Sequence, residues 1–176
     1  MPKSSRKQID DDEKKILQEL QRNSKESIDG IAKKCGFSRQ KVWRIIKRLE
    51  KNKTIWGYRA VVDDERINMN TYFLLIKGRR LPIGNPAEKD IVERTMDKLG
   101  GGIGAIVEDS IWLHGEYDWI LSFRAEDLKT AKRFYEIITQ HYGENISELT
   151  LMETIVAVKK GGFDNPKIVD TKKLLE

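Results

Sequence analysis

Between Ser27 and Lys51 the apolar positions fall into two short runs at helical spacing: Ile28, Ile31 and Ala32, then Val42, Ile45, Ile46 and Leu49. The second run keeps the i, i+3, i+4, i+7 pattern of one buried stripe. The runs meet at Cys35-Gly36-Phe37, where Gly36 supplies the positive φ of a tight turn. Ser27 and Ser38 stand where each helix needs an N-cap. At about 100° per residue, the side opposite the second stripe is centred on Gln40, Arg44, Lys47 and Lys51. Trp43 lies on one flank of that side, and Lys41 and Arg48 on the other. A short helix, a tight turn and a helix apolar on one side and basic on the other make the pattern of a helix-turn-helix. The partner it predicts is duplex DNA.

Upstream, residues 1–9 read as a short basic arm. Asp10 or Asp11 is expected to cap a first helix carrying Ile16, Leu17 and Leu20, with Asp12 and Glu13 in its first turn. Asn23-Ser24-Lys25 breaks that helix. The third helix is expected to end near Asn52 in the left-handed conformation. Thr54–Asp63 is strand-like, interrupted by Gly57, and predicts a short wing or β-ribbon.

From Thr71 the period changes. Tyr72–Ile76 predicts a strand, and Asn85-Pro86 starts a helix carrying Ile91, Val92, Met96 and Leu99 that stops at Gly100-Gly101-Gly102. Ile103–Val107 and Trp119–Phe123 predict two further strands. Ala131, Phe134, Ile137, Ile138 and Tyr142 lie on a second helix, and Leu149–Val158 closes as a strand. The order β-α-β-β-α-β is the ferredoxin-like unit. The fold class is therefore α+β: a winged helix-turn-helix domain over residues 1–62, a linker at 63–70, a ferredoxin-like domain over 71–159 and a tail at 160–176. Helices cover one sheet face, which leaves the other to pack on a second copy of the chain.

Charge sharpens this division. Residues 1–60 hold 17 Lys and Arg against 8 Asp and Glu, whereas the remainder holds 16 against 20. A basic front and an acidic rear suit a nucleic-acid module joined to one with another task. The single cysteine, Cys35, excludes an internal disulfide and a cysteine-based zinc cluster, and is expected to fill the gap between two helices. No apolar run approaches the ~20 residues of a membrane span, and the start of the chain has no signal-peptide core. A cytoplasmic protein without a cofactor or metal is the expectation.

Roles follow from position on the third helix. Ser38 caps it and leaves its first N–H groups near a phosphate. Gln40 and Arg44 face outward in the first two turns, where adenine and guanine edges are read, each contact contributing about 1–3 kcal/mol of discrimination. Lys41, Lys47, Arg48 and Lys51 are assigned to phosphates. Trp43 either meets a thymine methyl or the sugar-phosphate backbone, or packs within the domain. Arg39 either reaches a phosphate or covers the core with its stem.

The combination resembles the Lrp/AsnC family of bacterial and archaeal regulators. The front match is carried by Ile9-Asp10, Ile16-Leu17-Gln18-Glu19-Leu20, Ile31-Ala32, Gly36-Phe37-Ser38, Val42, Ile46-Lys47-Arg48-Leu49-Glu50 and Ile55-Trp56-Gly57-Tyr58. The rear match is Gly115-Glu116-Tyr117-Asp118 and Asp127-Leu128. The resemblance implies a rear domain of the RAM or ACT-like kind, homodimers that can assemble into octamers, and a small effector such as an amino acid. That effector would lie near the turn formed by Gly115, Glu116, Tyr117 and Asp118. The chain departs from the family pattern at Ile45, at Lys53 where glycine is usual, around Leu151, in the longer segment 79–84 and in its tail.

Two other readings compete. Sirohaem decarboxylases share this architecture, and His114 with Asp118 invites an enzymatic reading, but two histidines give little catalytic inventory. A helix-turn-helix that binds protein would show apolar anchors on its outer face, where only Trp43 qualifies. The sequence therefore predicts a sequence-specific, effector-modulated transcription regulator, not an enzyme, binding an inverted-repeat operator.

Overall fold

The structure, a computed structural model, describes residues 6–79 and 93–168. The chain divides into two compact units after Val61.

The front unit contains α1 (Arg6–Arg22), α2 (Ile28–Cys35) and α3 (Arg39–Lys51). Ile16, Ile31, Ala32, Val42, Ile45 and Leu49 form its buried core, with Leu17, Leu20, Ile28, Cys35, Phe37, Ile46 and Ile55 packed around them. Ser27 Oγ accepts from Gly30 N–H at 2.9 Å to cap α2. Gly36 ends α2 in the left-handed conformation, φ 68°. Its N–H and that of Phe37 close back on carbonyls of α2, so the turn satisfies the orphan acceptors of the helix end.

Three expectations for this unit are corrected. Helix α1 begins at Arg6, so Asp10 and Asp11 lie inside it and cap nothing. The inward stripe runs back through Ile16 and Asp12 to half-buried Ile9, one turn beyond the expected start. Asn52 does not take the left-handed turn. Its φ is −86°, and Lys53 takes the turn at φ 63°. The reason is local: Asn52 Oδ1 accepts from Thr54 N–H at 3.2 Å and from Thr54 Oγ1 at 2.9 Å, which fixes Asn52 just before the turn. Finally, residues 54–63 form no strand, because a lone strand has no ladder to complete among the described residues. The segment is fixed from the side instead, by Ile55 N–H donating to Leu49 O and by Tyr58 OH donating to Glu50 Oε1 at 3.2 Å.

The rear unit opens with a short 3-10 helix (Asp64–Ile67) capped by Asp63, followed by β1 (Asn70–Gly78), α4 (Thr95–Gly101), β2 (Ile106–Trp112), β3 (Trp119–Ala125), α5 (Leu128–Tyr142) and β4 (Ile146–Glu153). The sheet order is β2-β3-β1-β4 with every pair antiparallel. This is the ferredoxin-like arrangement. Tyr72, Leu74, Ile76, Trp119, Leu121 and Phe123 point to one face, where Phe134 and Ile138 of α5 and Met96 of α4 cover them. Phe73, Leu75, Ile111, Ile120 and Met152 alternate onto the other face. The expected Ile91 and Val92 contributions to the first rear helix, and segment 80–84, lie outside the described residues.

Strand β2 starts later than expected and continues through the polar run Glu108-Asp109-Ser110. Each polar side chain there has a cross-strand partner on β3 or at its start. Ser122 Oγ donates to Asp109 Oδ2 at 2.6 Å, Trp119 Nε1 donates to Ser110 Oγ at 2.9 Å, and Arg124 Nε lies 2.8 Å from Glu108 Oε1. Ile103 and Ala105 instead occupy the turn leaving Gly100, whose carbonyl accepts both their N–H groups. Strand β4 likewise begins and ends earlier than the apolar run implied.

The tail folds back as a hairpin, β5 (Lys159–Lys160) with β6 (Phe163–Asp164), turning through Gly161 and Gly162 at positive φ. Lys160 Nζ sits 2.6 Å from both Asp64 carboxylate oxygens, and Lys167 pairs with Asp63. Residues 63–70 are thus integrated into the rear unit.

Candidate nucleic-acid interface

Helix α3 is positioned by its own apolar side. Val42, Ile45 and Leu49 are buried against α1 and α2, so the reverse side must face outward. Ser38 caps it, with Oγ accepting from Lys41 N–H at 3.3 Å. On the outward side Gln40, Arg44 and Lys51 are exposed and have no side-chain partner among the described residues. Trp43 is 53% exposed. Its indole is not part of the domain core.

The other cations of α3 are engaged. Arg39 Nη1 lies 2.7 Å from Asp29 Oδ2, and Lys47 Nζ lies 2.8 Å from Glu50 Oε2, both on the surface. Arg48 Nη2 reaches Glu13 Oε1 of α1 at 2.6 Å. Lys41 is the most enclosed: its Nζ is 2.6 Å from Asp12 Oδ2 and 3.9 Å from the centre of the Phe37 ring. Asp12 is only 3% exposed, and its other oxygen accepts from Gln8 Nε2 at 3.1 Å. The hydrogen bond from Lys41 holds the Asp12 carboxyl below the usual aspartate range, against the opposing effect of burial. The sequence placed Asp12 and Glu13 in the first turn of α1, which the start at Arg6 overturns, and did not pair them, or Asp29, with the cations of α3. Which cations these carboxylates meet is a property of the packing.

Cys35 is half-buried against the front core, and burial raises its thiol above the ordinary range. Among the described residues no group of histidine, cysteine and carboxylate side chains is spaced to hold a metal ion.

In the rear unit, Gly115 and Glu116 are exposed on the turn between β2 and β3, and Tyr117 is half-buried. Asp118 is buried, and its Oδ2 accepts from the N–H of Gly78 at 2.7 Å. The Asp118 N–H donates to Ile76 O, and its carbonyl accepts from Leu113 N–H at 2.8 Å. This carboxylate therefore ties the turn to the end of β1, where the register with β4 shifts between Lys77 and Gly78. His114 stands exposed on the same turn and His141 on the last turn of α5.

Residues 9–55 match the family model described as winged helix-turn-helix DNA-binding. The leucine-responsive regulatory protein of Haemophilus influenzae is 33% identical over 130 residues, covering 73% of each chain. The chain belongs to the Lrp/AsnC family. An AsnC family transcriptional regulator from Agrobacterium tumefaciens superposes with a TM-score of 0.60 at 22% identity, covering 90% of this chain and 97% of that one. The transcriptional regulator NMB0573 of Neisseria meningitidis, solved as an L-Met complex, does so with a TM-score of 0.63 at 21% identity, covering 85% and 91%. This Lrp/AsnC chain is a DNA-binding transcriptional regulator. No helix among its described residues is long and apolar enough to cross a membrane.

Proposed function

We propose that this Lrp/AsnC regulator acts as a homodimer on an inverted-repeat operator, with a small effector, of the amino-acid class, setting its assembly or affinity. The observation that carries the reading is the outward side of α3, where Gln40, Arg44 and Lys51 are exposed and unengaged opposite a buried Val42-Ile45-Leu49 stripe. Gln40 and Arg44 read base edges. Ser38, Arg39, Lys47 and Lys51 meet phosphates, and Trp43 lies on the sugar-phosphate surface beside them. Two such helices related by a two-fold axis fit successive major-groove faces, which is the source of the inverted repeat.

Dimerisation is supported by the uncovered sheet face. Ile111 and Met152 are each 48% exposed there, beside Phe73, Leu75 and Ile120. Further assembly of dimers, up to an octamer, would bring the turns carrying Gly115, Glu116, Tyr117 and Asp118 to the contacts where an effector binds. An effector placed there changes DNA binding only by favouring one assembly over another. The L-Met complex of the Neisseria protein supports an amino-acid effector for this chain. A regulator of this kind carries no catalytic step and works in the cytoplasm.

The test is selection of genomic DNA fragments by the purified protein at near-physiological salt, followed by sequencing. An inverted-repeat motif is the expected outcome. Retention of fragments without any motif, with and without amino acids, would refute sequence-specific regulation.

A further inference from the structure

Helix α3 carries six cations, Arg39, Lys41, Arg44, Lys47, Arg48 and Lys51, of which only Arg44 and Lys51 lack an acidic partner among the described residues. The engaged four are not equivalent. Arg39–Asp29 and Lys47–Glu50 are exposed pairs, worth little and readily exchanged for a phosphate. Lys41–Asp12 and Arg48–Glu13 join α3 to α1; the first is enclosed, and the second is half-buried on the Glu13 side, which is 22% exposed against 47% for Arg48. The Asp12 side chain is 5% exposed against 33% for Lys41. If Lys41 swung out to a phosphate, it would leave a buried carboxylate without its cation, and that desolvation penalty opposes the move. The Phe37 ring against the Lys41 ammonium adds to its retention.

We infer that Asp12 and Glu13 set the level of sequence-independent affinity: they withhold Lys41 and Arg48 from the DNA backbone, so that the protein leaves random duplex readily while the preference read by Gln40 and Arg44 is unchanged. Phosphate contacts raise affinity for every sequence alike, so a recognition helix with all its cations free would bind operator and random duplex more tightly by the same factor and would dwell on random sequence. Internal carboxylates reduce that background without touching the base-reading positions. This inference rests on the DNA-binding reading of α3 given above, and it reassigns Lys41 and Arg48 from phosphate contacts to structural cations.

The experiment measures the salt dependence of binding to two duplexes of equal length, one enriched in the genomic selection and one of random sequence. The proteins are wild type, the double variant Asp12→Asn with Glu13→Gln, the paired variant Asp12→Asn with Lys41→Gln, and Lys51→Gln. The first variant is expected to bind both duplexes more tightly by a similar factor and to steepen the log–log salt slope by about 0.9 for each freed cation. The paired variant, which removes cation and anion together, is expected to keep the wild-type slope. An unchanged slope in the first variant overturns the inference, as does a paired variant whose slope flattens as much as that of Lys51→Gln. If the first variant fails to fold, the comparison of the paired variant with Lys51→Gln decides the matter. Failure of the underlying reading looks different: wild type then shows no preference between duplexes, or no binding at any salt, and both claims fall together.

Discussion

The Asp118 carboxylate receives the backbone N–H of Gly78 at 2.7 Å, joining the β2–β3 turn to the last residue of β1. Asp118 is buried and Gly78 half-buried, so loss of the side chain leaves that N–H without its acceptor. Asp118→Ala should therefore destabilise the rear unit by about 1–3 kcal/mol, whereas Asp118→Asn, which keeps an acceptor, should cost less. Denaturant unfolding of the two variants checks this order. Equal losses would show that the hydrogen bond is not what matters.

Two glycines should behave oppositely. A Cβ on Gly100 would lie 2.6 Å from the Ala105 carbonyl oxygen, a backbone atom that cannot step aside. Gly100→Ala should cost about 1–3 kcal/mol through that overlap. A Cβ on Gly115 meets nothing within 4 Å. Gly115→Ala should leave the unfolding midpoint unchanged, which makes it a clean probe of the turn proposed to bind the effector: any change in response to amino acids would arise at the ligand.

Lys53 holds the left-handed conformation that ends the α3 region, at φ 63°. Glycine adopts that geometry without the strain a lysine Cβ brings, though it gives back some of the gain through a freer unfolded chain. Lys53→Gly should stabilise the front unit by about 1 kcal/mol or slightly less. A lower midpoint in thermal unfolding would contradict this account of the turn.

Acid should loosen the front unit through Asp12. Its carboxyl titrates below the ordinary range, chiefly because Lys41 donates to it, so the unfolded chain binds the proton first as pH falls. The stabilisation is complete above the ordinary aspartate value near 3.8 and is lost as pH drops from there through the lower folded value. Unfolding midpoints measured from pH 6 down to pH 2 should show a decline that is shallower in Asp12→Asn. Parallel curves for the two proteins would remove Asp12 from the explanation.

The base-reading and backbone roles separate by their signatures. Arg44→Ala should lose about 1–3 kcal/mol on the enriched duplex and little on random DNA. Lys51→Ala should weaken both duplexes alike and flatten the salt slope by about 0.9. Titrations of both duplexes at several salt concentrations distinguish these patterns.

Much of the fold was legible because its signals are local. The Val42-Ile45-Leu49 stripe, the Ser38 cap and the positive φ of Gly36 are all decided within a few residues. What was hidden depends on partners distant in the chain. Strand β2 passes through Glu108, Asp109 and Ser110, which read as loop until Arg124, Ser122 and Trp119 come alongside. The strand expected over Thr54–Asp63 is missing for the complementary reason: the segment has the composition of a strand but no neighbour to pair with among the described residues. At the interface, helical geometry located Gln40 and Arg44 correctly on the outward side. It could not reveal that Asp12 would cross to Lys41, because a charge in the first helix looks the same whether it faces solvent or another helix.

The lysines of the tail hairpin give the rear unit an unusual economy of entry and exit. With Lys160 on Asp64 and Lys167 on Asp63, the last described residues of the unit lie beside its first. A unit closed on itself in this way can be cut open at a surface loop and rejoined between those neighbours, or seated whole within a loop of another protein. The β2–β3 turn, where we propose that the effector binds, would then ride on a module that is transplantable without the DNA reader.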